Sequence, residues 1–219
     1  MAVITISRDF GSGGTWIAQQ TAKKLGYKLA DKHTIGTLLS KYGLIEFETV
    51  YDTVPAFWDG FSAQKMDQRK ETIEMMNRTI LALARYENVV ILGRGSYLIL
   101  GGFNDVLNVR IHAPVEFRIS RVMESQNIRD RDEAAALVEK HDNIRKQFIE
   151  SAYKVRGELA KDFDLVINTG KIPRETAAGL IVQEGKVLAH QKGSAIRKAS
   201  TLAVDRILAD AVKEVLAAQ

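Results

Sequence analysis

The chain has 219 residues, of which 46% are hydrophobic and 26% charged, which is enough for one α/β domain with a substantial core. Its 31 basic and 27 acidic residues leave a net charge of +4, which is too small to predict a nucleic-acid track but suits anionic substrates. The absence of cysteine excludes disulfides, thiolate zinc sites and cysteine nucleophiles. No run reaches membrane-spanning length and no signal-peptide pattern precedes the first strand, so we expect a cytoplasmic protein without membrane or nucleic-acid partners.

The first predicted element is a strand that leads through a glycine-rich loop into a helix. Val3-Ile4-Thr5-Ile6 is a β-branched run typical of a buried strand, and apolar residues recur at helical spacing from Thr15 to Leu25. Gly11-Ser12-Gly13-Gly14 lies between them. Glycines let backbone amides converge on a phosphate, and the helix adds the positive end of its dipole. We therefore predict a phosphate-binding loop here rather than a turn that merely tolerates glycine.

The complete P-loop pattern, G-x-x-x-x-G-K-[ST], fits this loop in part. Aligned on Gly13, it places Thr15 at the hydroxyl position that holds Mg²⁺. Arg8, however, stands where the first glycine belongs, and Gly14 stands where the lysine belongs. The loop therefore lacks the lysine that reaches the β- and γ-phosphates.

The dinucleotide-binding pattern, G-x-G-x-x-G with an acidic residue about 20 positions later, is the rival interpretation. Gly11, Gly13 and Asp31 fit its spacing. Trp16 stands at the third glycine and would obstruct close packing of helix on strand. A dinucleotide-binding fold with bound NAD therefore ranks second.

The opening segment also resembles a known family. Ile4 to Gly14, followed by Ile17-Ala18, resembles the start of the cytidylate-kinase-like proteins, relatives of the nucleoside monophosphate kinases whose loop lacks the usual lysine. The resemblance implies ATP and Mg²⁺ as cofactors and nucleotides as substrates, and the hydroxyl position of the P-loop pattern makes Thr15 the candidate Mg²⁺ ligand. The implied donor-phosphate residues are Arg8, Gly11, Ser12, Gly13, Gly14 and Thr15. Thr15-Trp16 departs from the family, which usually carries an arginine and an acidic residue there.

A second short strand, from Tyr27 to Asp31, leads into a helix predicted from His33 to about Tyr42. In nucleoside monophosphate kinases the chain leaving the second strand begins the acceptor side. The resemblance therefore implies that Asp31 binds the acceptor. Capping of the following helix explains Asp31 equally well.

Residues from about 32 to 87 correspond by resemblance to the acceptor-binding region. Aromatic side chains, including Phe57 and Trp58, precede a long helix predicted from Ala63 onward. Such rings can stack on a base, but we favour a small satellite core for Phe57 and Trp58.

The strand from Val89 to Leu92 runs directly into Gly93-Arg94-Gly95-Ser96. Ligands bind outside the carboxyl ends of parallel strands, and a guanidinium there can bind a phosphate through two hydrogen bonds. The Gly-Arg pair resembles the one that contacts the acceptor nucleotide in cytidylate kinases. Gly95 replaces the aspartate that follows in those enzymes, so a preference for cytosine is not implied. A salt bridge to Asp31 or a structural role in the turn are the alternatives for Arg94.

A fourth strand, from Val106 to Ile111, is followed by two helices rich in arginine, one starting near Pro114 and one running from Glu133 to about Tyr153. Phosphoryl transfer spreads negative charge over the moving group, and arginines on a mobile segment stabilise that charge while excluding water. The arginines are Arg118, Arg121, Arg129, Arg131 and Arg145.

By resemblance, residues 114–153 form the lid of a nucleoside monophosphate kinase. The segment from Asp142 to Arg145 resembles the family's Asp-x-x-Arg motif. The implied catalytic residues are Arg118, Arg121, Asp142 and Arg145. A solvated charged surface is the alternative, and for Arg129 and Arg131 it is equally good.

A fifth strand, from Phe163 to Asn168, and a helix starting at Pro173 complete a predicted kinase-like domain spanning residues 1–184. Residues 185–219 form a C-terminal helical extension whose last helix carries a wide apolar stripe. That stripe either packs back on the domain or forms a homodimer contact.

Five short strands alternating with helices predict a three-layer α/β/α sandwich with a five-stranded parallel sheet. The resemblance specifies a P-loop, nucleoside monophosphate kinase-like fold with an added C-terminal helix. The predicted function is ATP-dependent phosphoryl transfer to a nucleoside monophosphate. The alternatives are a catalytically impaired nucleotide-binding or regulatory module, because the P-loop lysine is absent, and a kinase of another small acceptor, because no residue is identified that reads a base.

Overall fold

A buried β-branched strand lies at the centre of the sheet, and the chain alternates strands and helices around it. The computed structural model describes residues 2–43, 63–155, 159–191 and 197–218, with only the backbone for 63–69; Phe57 and Trp58 lie outside the described residues. The described strands and α-helices are β1 (Val3–Arg8), α1 (Gly14–Leu25), β2 (Lys28–Ala30), α2 (Lys32–Ser40), α3 (Ala63–Tyr86), β3 (Val89–Leu92), α4 (Ser96–Leu100), β4 (Val106–His112), α5 (Val115–Gln126), α6 (Arg131–Tyr153), β5 (Leu165–Asn168), α7 (Arg174–His190) and α8 (Arg206–Ala217).

The five strands form one parallel sheet in the order β2-β3-β1-β4-β5. In the register of this sheet, Ile6 of β1 pairs with Leu92 of β3, and Arg8 pairs with Ile111 of β4. The carboxyl ends of the three central strands therefore lie at one edge of the sheet. The predicted five-stranded parallel sheet is confirmed.

Side chains alternate across β1 and supply a core on each face of the sheet. Ile4 and Ile6 pack with Ile17 of α1 and Ile181 of α7, while Val3 belongs to the core on the opposite face. That second core contains the buried side chains of α2, α3 and α8. Helices on both faces of a buried parallel sheet make the predicted three layers.

The C-terminal helix α8 is part of this second core. Leu208, Val212 and Leu216 recur at helical spacing, and all are at most 3% exposed. Lys41 Nζ also lies 2.7 Å from a carboxylate oxygen of Glu214. These three side chains of the predicted apolar stripe are thus covered within the chain, whereas Ile207 of the same helix is 72% exposed. The expected domain boundary at residue 184 falls inside α7, which continues to His190.

Among the described residues, the helices are too short or too polar to cross a membrane.

Candidate functional site

The loop between β1 and α1 requires glycine at two positions. Gly11 and Gly13 have φ angles of 76° and 80°, in the left-handed region that side chains disfavour. A Cβ atom on Gly11 would also lie 2.9 Å from the backbone oxygen of Arg118. The chain therefore turns sharply here, close against α5.

The carbonyl groups of this loop are held by neighbouring side chains. The Asp9 oxygen accepts a hydrogen bond of 2.8 Å from the Ser12 hydroxyl, and the Phe10 oxygen accepts one of 3.1 Å from the Arg118 guanidinium. The Ser12 oxygen accepts from the Thr169 hydroxyl at 2.7 Å and from Arg121 at 3.0 Å. Hydrogen bonds from the loop itself, from α5 and from the segment after β5 thus fix the direction of the peptide groups.

The amides of the loop remain available for an anion. Within the described part of the chain, no group accepts a hydrogen bond from the backbone N–H of Gly11, Gly13, Gly14 or Thr15. Gly13 caps α1 without any side-chain hydrogen bond. Convergent amides at a helix N-terminus form a concave anion site, to which the helix dipole adds partial positive charge. Amides arranged in this way can hold an anion, and phosphate binding by the loop stays a prediction.

Trp16 does not occupy this concave site. Its ring packs against the core shared by α1 and α7, and the guanidinium of Arg174 lies 4.5 Å from the ring centroid. Trp16 is therefore directed towards the α1/α7 layer rather than towards the amides.

Asp142 of α6 joins the phosphate loop to two arginines. One carboxylate oxygen lies 2.5 Å from Nη1 of Arg118, whose side chain is 10% exposed, and the other accepts a hydrogen bond of 3.3 Å from the Phe10 amide. Arg145 Nη1 lies 3.5 Å from that same second oxygen. The Phe10 ring stacks on His141, with ring centroids 4.2 Å apart. The predicted lid helix thus contacts the loop directly.

Arg121 also contacts the loop. It donates to the Thr169 hydroxyl at 3.1 Å and to the Thr169 carbonyl oxygen at 3.0 Å, besides its bond to Ser12. Burial, and next the neighbouring Arg174, lower the pKa of Arg121 from its usual value. Arg118 and Arg121 therefore meet at the loop, one on each side of its turn.

Arg129 and Arg131 lie away from this group. Both are exposed, and Arg131 pairs with Glu116 at 2.6 Å. Their surroundings are those of a solvated charged surface, the alternative that the sequence left open for these two arginines.

Arg94 follows β3 at the same edge of the sheet. It is 6% exposed and adopts a φ angle of 62°, an unusual conformation for a residue with a side chain. The hydroxyl of Tyr153, the last residue of α6, donates a hydrogen bond of 2.9 Å to the Arg94 carbonyl and lies 3.1 Å from the side-chain oxygen of Asn77. A Cβ atom on Gly95 would clash with the Tyr153 ring. The end of α6 therefore fixes the segment that carries Arg94.

Asp31 is the N-cap of α2. Its carboxylate accepts hydrogen bonds from the amides of His33 at 2.9 Å and Thr34 at 3.1 Å. The capping explanation describes these contacts, and a role in acceptor binding stays a prediction.

Sequence reasoning did not identify two residues of the site. Thr169 lies directly after β5, so the rule that ligands gather at the carboxyl ends of strands could have identified it. Tyr153 gave no local signal, because its position beside Gly95 depends on how the long helix α6 packs.

The parallel sheet, its strand order and the glycine loop after β1 define a P-loop nucleotide-binding fold. The chain also belongs to the cytidylate kinase-like family, whose model matches residues 3–171. This membership confirms the predicted family and makes the protein a kinase-like phosphotransferase that acts on a small substrate.

Individual relatives agree with this assignment. The cytidylate kinase of Methanocaldococcus jannaschii is 28% identical over 171 residues, which cover 77% of this chain and 89% of the relative. The cytidylate kinase of Archaeoglobus fulgidus is 29% identical over 192 residues, covering 84% and 94%. A crystal structure of an uncharacterized Eubacterium ventriosum protein shares the fold, with a TM-score of 0.65 and 21% identity over 85% of this chain and 99% of that one.

One further match is partial. A segment of 96 residues, 43% of this chain, is 32% identical to the uronate isomerase of Corynebacterium glutamicum but spans only 18% of that protein. The match therefore carries no inference about activity.

Proposed function

We propose that the protein transfers the γ-phosphoryl group of ATP to a nucleoside monophosphate. The observation that carries the proposal is the loop from Arg8 to Thr15, in which neighbouring side chains hold the carbonyl groups while four amides remain available for an anion. A loop of this kind suits a polyphosphate chain. The likeness to two cytidylate kinases over most of their lengths supports the choice of acceptor.

In the proposed reaction, a phosphate oxygen of the acceptor forms a bond to the γ-phosphorus of ATP. The bond from that phosphorus to the β,γ-bridging oxygen breaks, and the oxygen leaves with the electron pair on ADP. No protein nucleophile is required, because positioning and electrostatic stabilisation supply most of the rate.

The arginines have three different roles in this proposal. Arg118 and Arg121 hold loop carbonyls and so act as positioning residues, whereas Arg94 binds the acceptor phosphate. Arg145 neutralises charge on the moving group in this proposal, which is supported by its contact with the oxygen of Asp142 that also accepts from the Phe10 amide.

The residues also fit a Mg²⁺ ion bound together with the nucleotide. Mg²⁺ keeps several waters and needs only one or two protein oxygens besides the phosphates. Thr15 is exposed in the first turn of α1, next to the open amides, and would hold the ion through its hydroxyl. The described residues contain no cluster of three or more acidic or histidine side chains that would form a separate metal site. When bound, Mg²⁺ supplies positive charge against the phosphates.

A coupled assay with ATP, Mg²⁺ and a panel of nucleoside monophosphates tests the proposal. We expect turnover with at least one monophosphate, and we expect Arg145→Ala to lower kcat about 100-fold or more. Arg206→Ala, which removes an exposed arginine from α8, is the matched control and should leave kcat unchanged. Binding of ATP without turnover would instead favour a nucleotide-binding module, and turnover only with other small anionic or hydroxyl acceptors added to the panel would favour a kinase of another small acceptor.

A further inference from the structure

The two departures from the P-loop pattern face each other across the loop. Arg8 replaces the first glycine of the pattern and Gly14 replaces its lysine, six positions later. A Cβ atom on Gly14 would lie 2.5 Å from Cβ and 2.8 Å from Cγ of Arg8. Such distances do not occur between real side chains, and the base of a side chain cannot swing away. The stem of Arg8 therefore fills the space into which a side chain at position 14 would begin.

The guanidinium of Arg8 continues past Gly14 to the end of β3. A Cβ atom on Gly93 would clash with Nη1 of Arg8 and would lie 3.5 Å from its Cζ. Gly93 precedes Arg94, and its amide donates to the carbonyl of Ile6 at 3.0 Å. The Arg8 side chain therefore extends from the start of α1 to the segment that carries the proposed acceptor arginine.

We propose that Arg8 and Gly14 have exchanged the roles of the P-loop glycine and lysine, so that the strand end rather than the helix start supplies the cation for the β- and γ-phosphates. Gly14 then has the role of the small residue that lets the side chain of Arg8 pass. This inference rests on the proposed function for the identity of the ligand.

The exchange also changes what the cation can do. A lysine ammonium is a point charge, whereas a guanidinium presents a planar set of five donors. Because the Arg8 guanidinium lies beside Gly93, it can contact the donor phosphates from the side on which Arg94 would bind the acceptor. During transfer, the β,γ-bridging oxygen gains charge as its bond to the γ-phosphorus breaks, and Arg8 would stabilise that charge.

The exchange makes a specific prediction for a pair of variants. Arg8→Met keeps most of the stem but removes the charge, and we expect it to weaken Mg²⁺–ATP binding at least 10-fold and to lower kcat about 100- to 1000-fold. Gly14→Lys alone should also lose binding, because its stem overlaps Arg8. The double variant Arg8→Gly/Gly14→Lys restores the complete pattern with Thr15 and should bind Mg²⁺–ATP within about 10-fold of the original protein.

Isothermal titration calorimetry with Mg²⁺–ATP measures binding in each variant, and urea unfolding shows which variants fold. Arg206→Met is the matched control and should bind as the original protein does. If a variant fails to fold, Arg8→Lys, which keeps a charge on a similar stem, replaces Arg8→Met and should bind more tightly than Arg8→Ala. Binding by Arg8→Met equal to that of the original protein, or a folded double variant that binds no better than Gly14→Lys, would overturn the inference.

The calorimetry separates this inference from the proposed function. An original protein that binds Mg²⁺–ATP but phosphorylates no monophosphate contradicts the proposed function, yet the same binding series still decides the role of Arg8. Turnover that survives Arg8→Met contradicts the role of Arg8 and leaves the proposed function intact.

Discussion

Replacement of Asp142 by alanine should both destabilise the protein and loosen its phosphate loop. The carboxylate binds the guanidinium of Arg118 at 2.5 Å, the Phe10 amide at 3.3 Å and Arg145 at 3.5 Å. A hydrogen bond to a charged group contributes about 1.5–3 kcal/mol and one to a backbone amide about 0.5–1.5 kcal/mol. The Arg145 contact is longer, at 3.5 Å, so we expect this loose pair to contribute no more than about 1 kcal/mol.

The Asp142 side chain is 30% exposed, so water replaces part of what is lost. We therefore expect Asp142→Ala to lower the free energy of unfolding by about 2–3 kcal/mol, which is in the lower part of the summed contributions of these contacts. Because the Phe10 amide and carbonyl both depend on this cluster, we also expect weaker Mg²⁺–ATP binding.

Urea unfolding and calorimetry measure the two effects. Asp132→Ala is the matched control, since Asp132 lies on the same helix with a side chain that is 94% exposed and only a long contact of 3.7 Å to Arg131. It should change the free energy of unfolding by no more than about 0.5 kcal/mol. Equal losses in the two variants would refute the reasoning.

Three further changes test the glycine turn, the C-terminal helix and the end of α6. Gly11→Ala and Gly43→Ala introduce a Cβ at nearly equal φ angles, 76° and 79°, but only the first places it 2.9 Å from a backbone oxygen, so unfolding by urea should show the larger loss for Gly11→Ala. In the same assay, Leu208→Ala should lower the free energy of unfolding by about 2–5 kcal/mol. Ile207 is 72% exposed, so Ile207→Ala should lower it by about 0.5 kcal/mol or less. Similar losses in the two variants would mean that α8 is not part of the core. Tyr153→Phe should cost about 1 kcal/mol, and an unchanged unfolding curve would contradict the hydrogen bond to the segment after β3.

The strands and the loop were predictable because their signals are local. A β-branched run before glycines specified β1 and the turn, and Gly26 ends α1 with a φ angle of 68°, as a helix-terminating glycine should. Asp31 before a helical pattern likewise indicated an N-cap, although the sequence left open whether it also binds the acceptor. In each of these cases the residues that form the feature are neighbours in the chain.

The contacts of the charged residues were not predictable in the same way. The sequence predicted Arg118 and Arg121 as residues of the site, but not that they would donate hydrogen bonds to carbonyls of the loop. Those partners are more than 100 positions away in sequence, and only the register of β1 against β4 brings them together. For the same reason, the sequence did not show which residues cover the apolar stripe of α8. The structure shows that Leu208 packs in the core of the domain.

The most direct test of the account is an amide-resolved NMR titration of the protein with Mg²⁺ and a non-hydrolysable ATP analogue. We predict the largest shifts at the amides of Gly11, Gly13, Gly14 and Thr15, because within the described chain these donors face no protein acceptor. Saturable binding that leaves these four amides unshifted, with the changes concentrated elsewhere, would contradict the claim that this loop holds the phosphates.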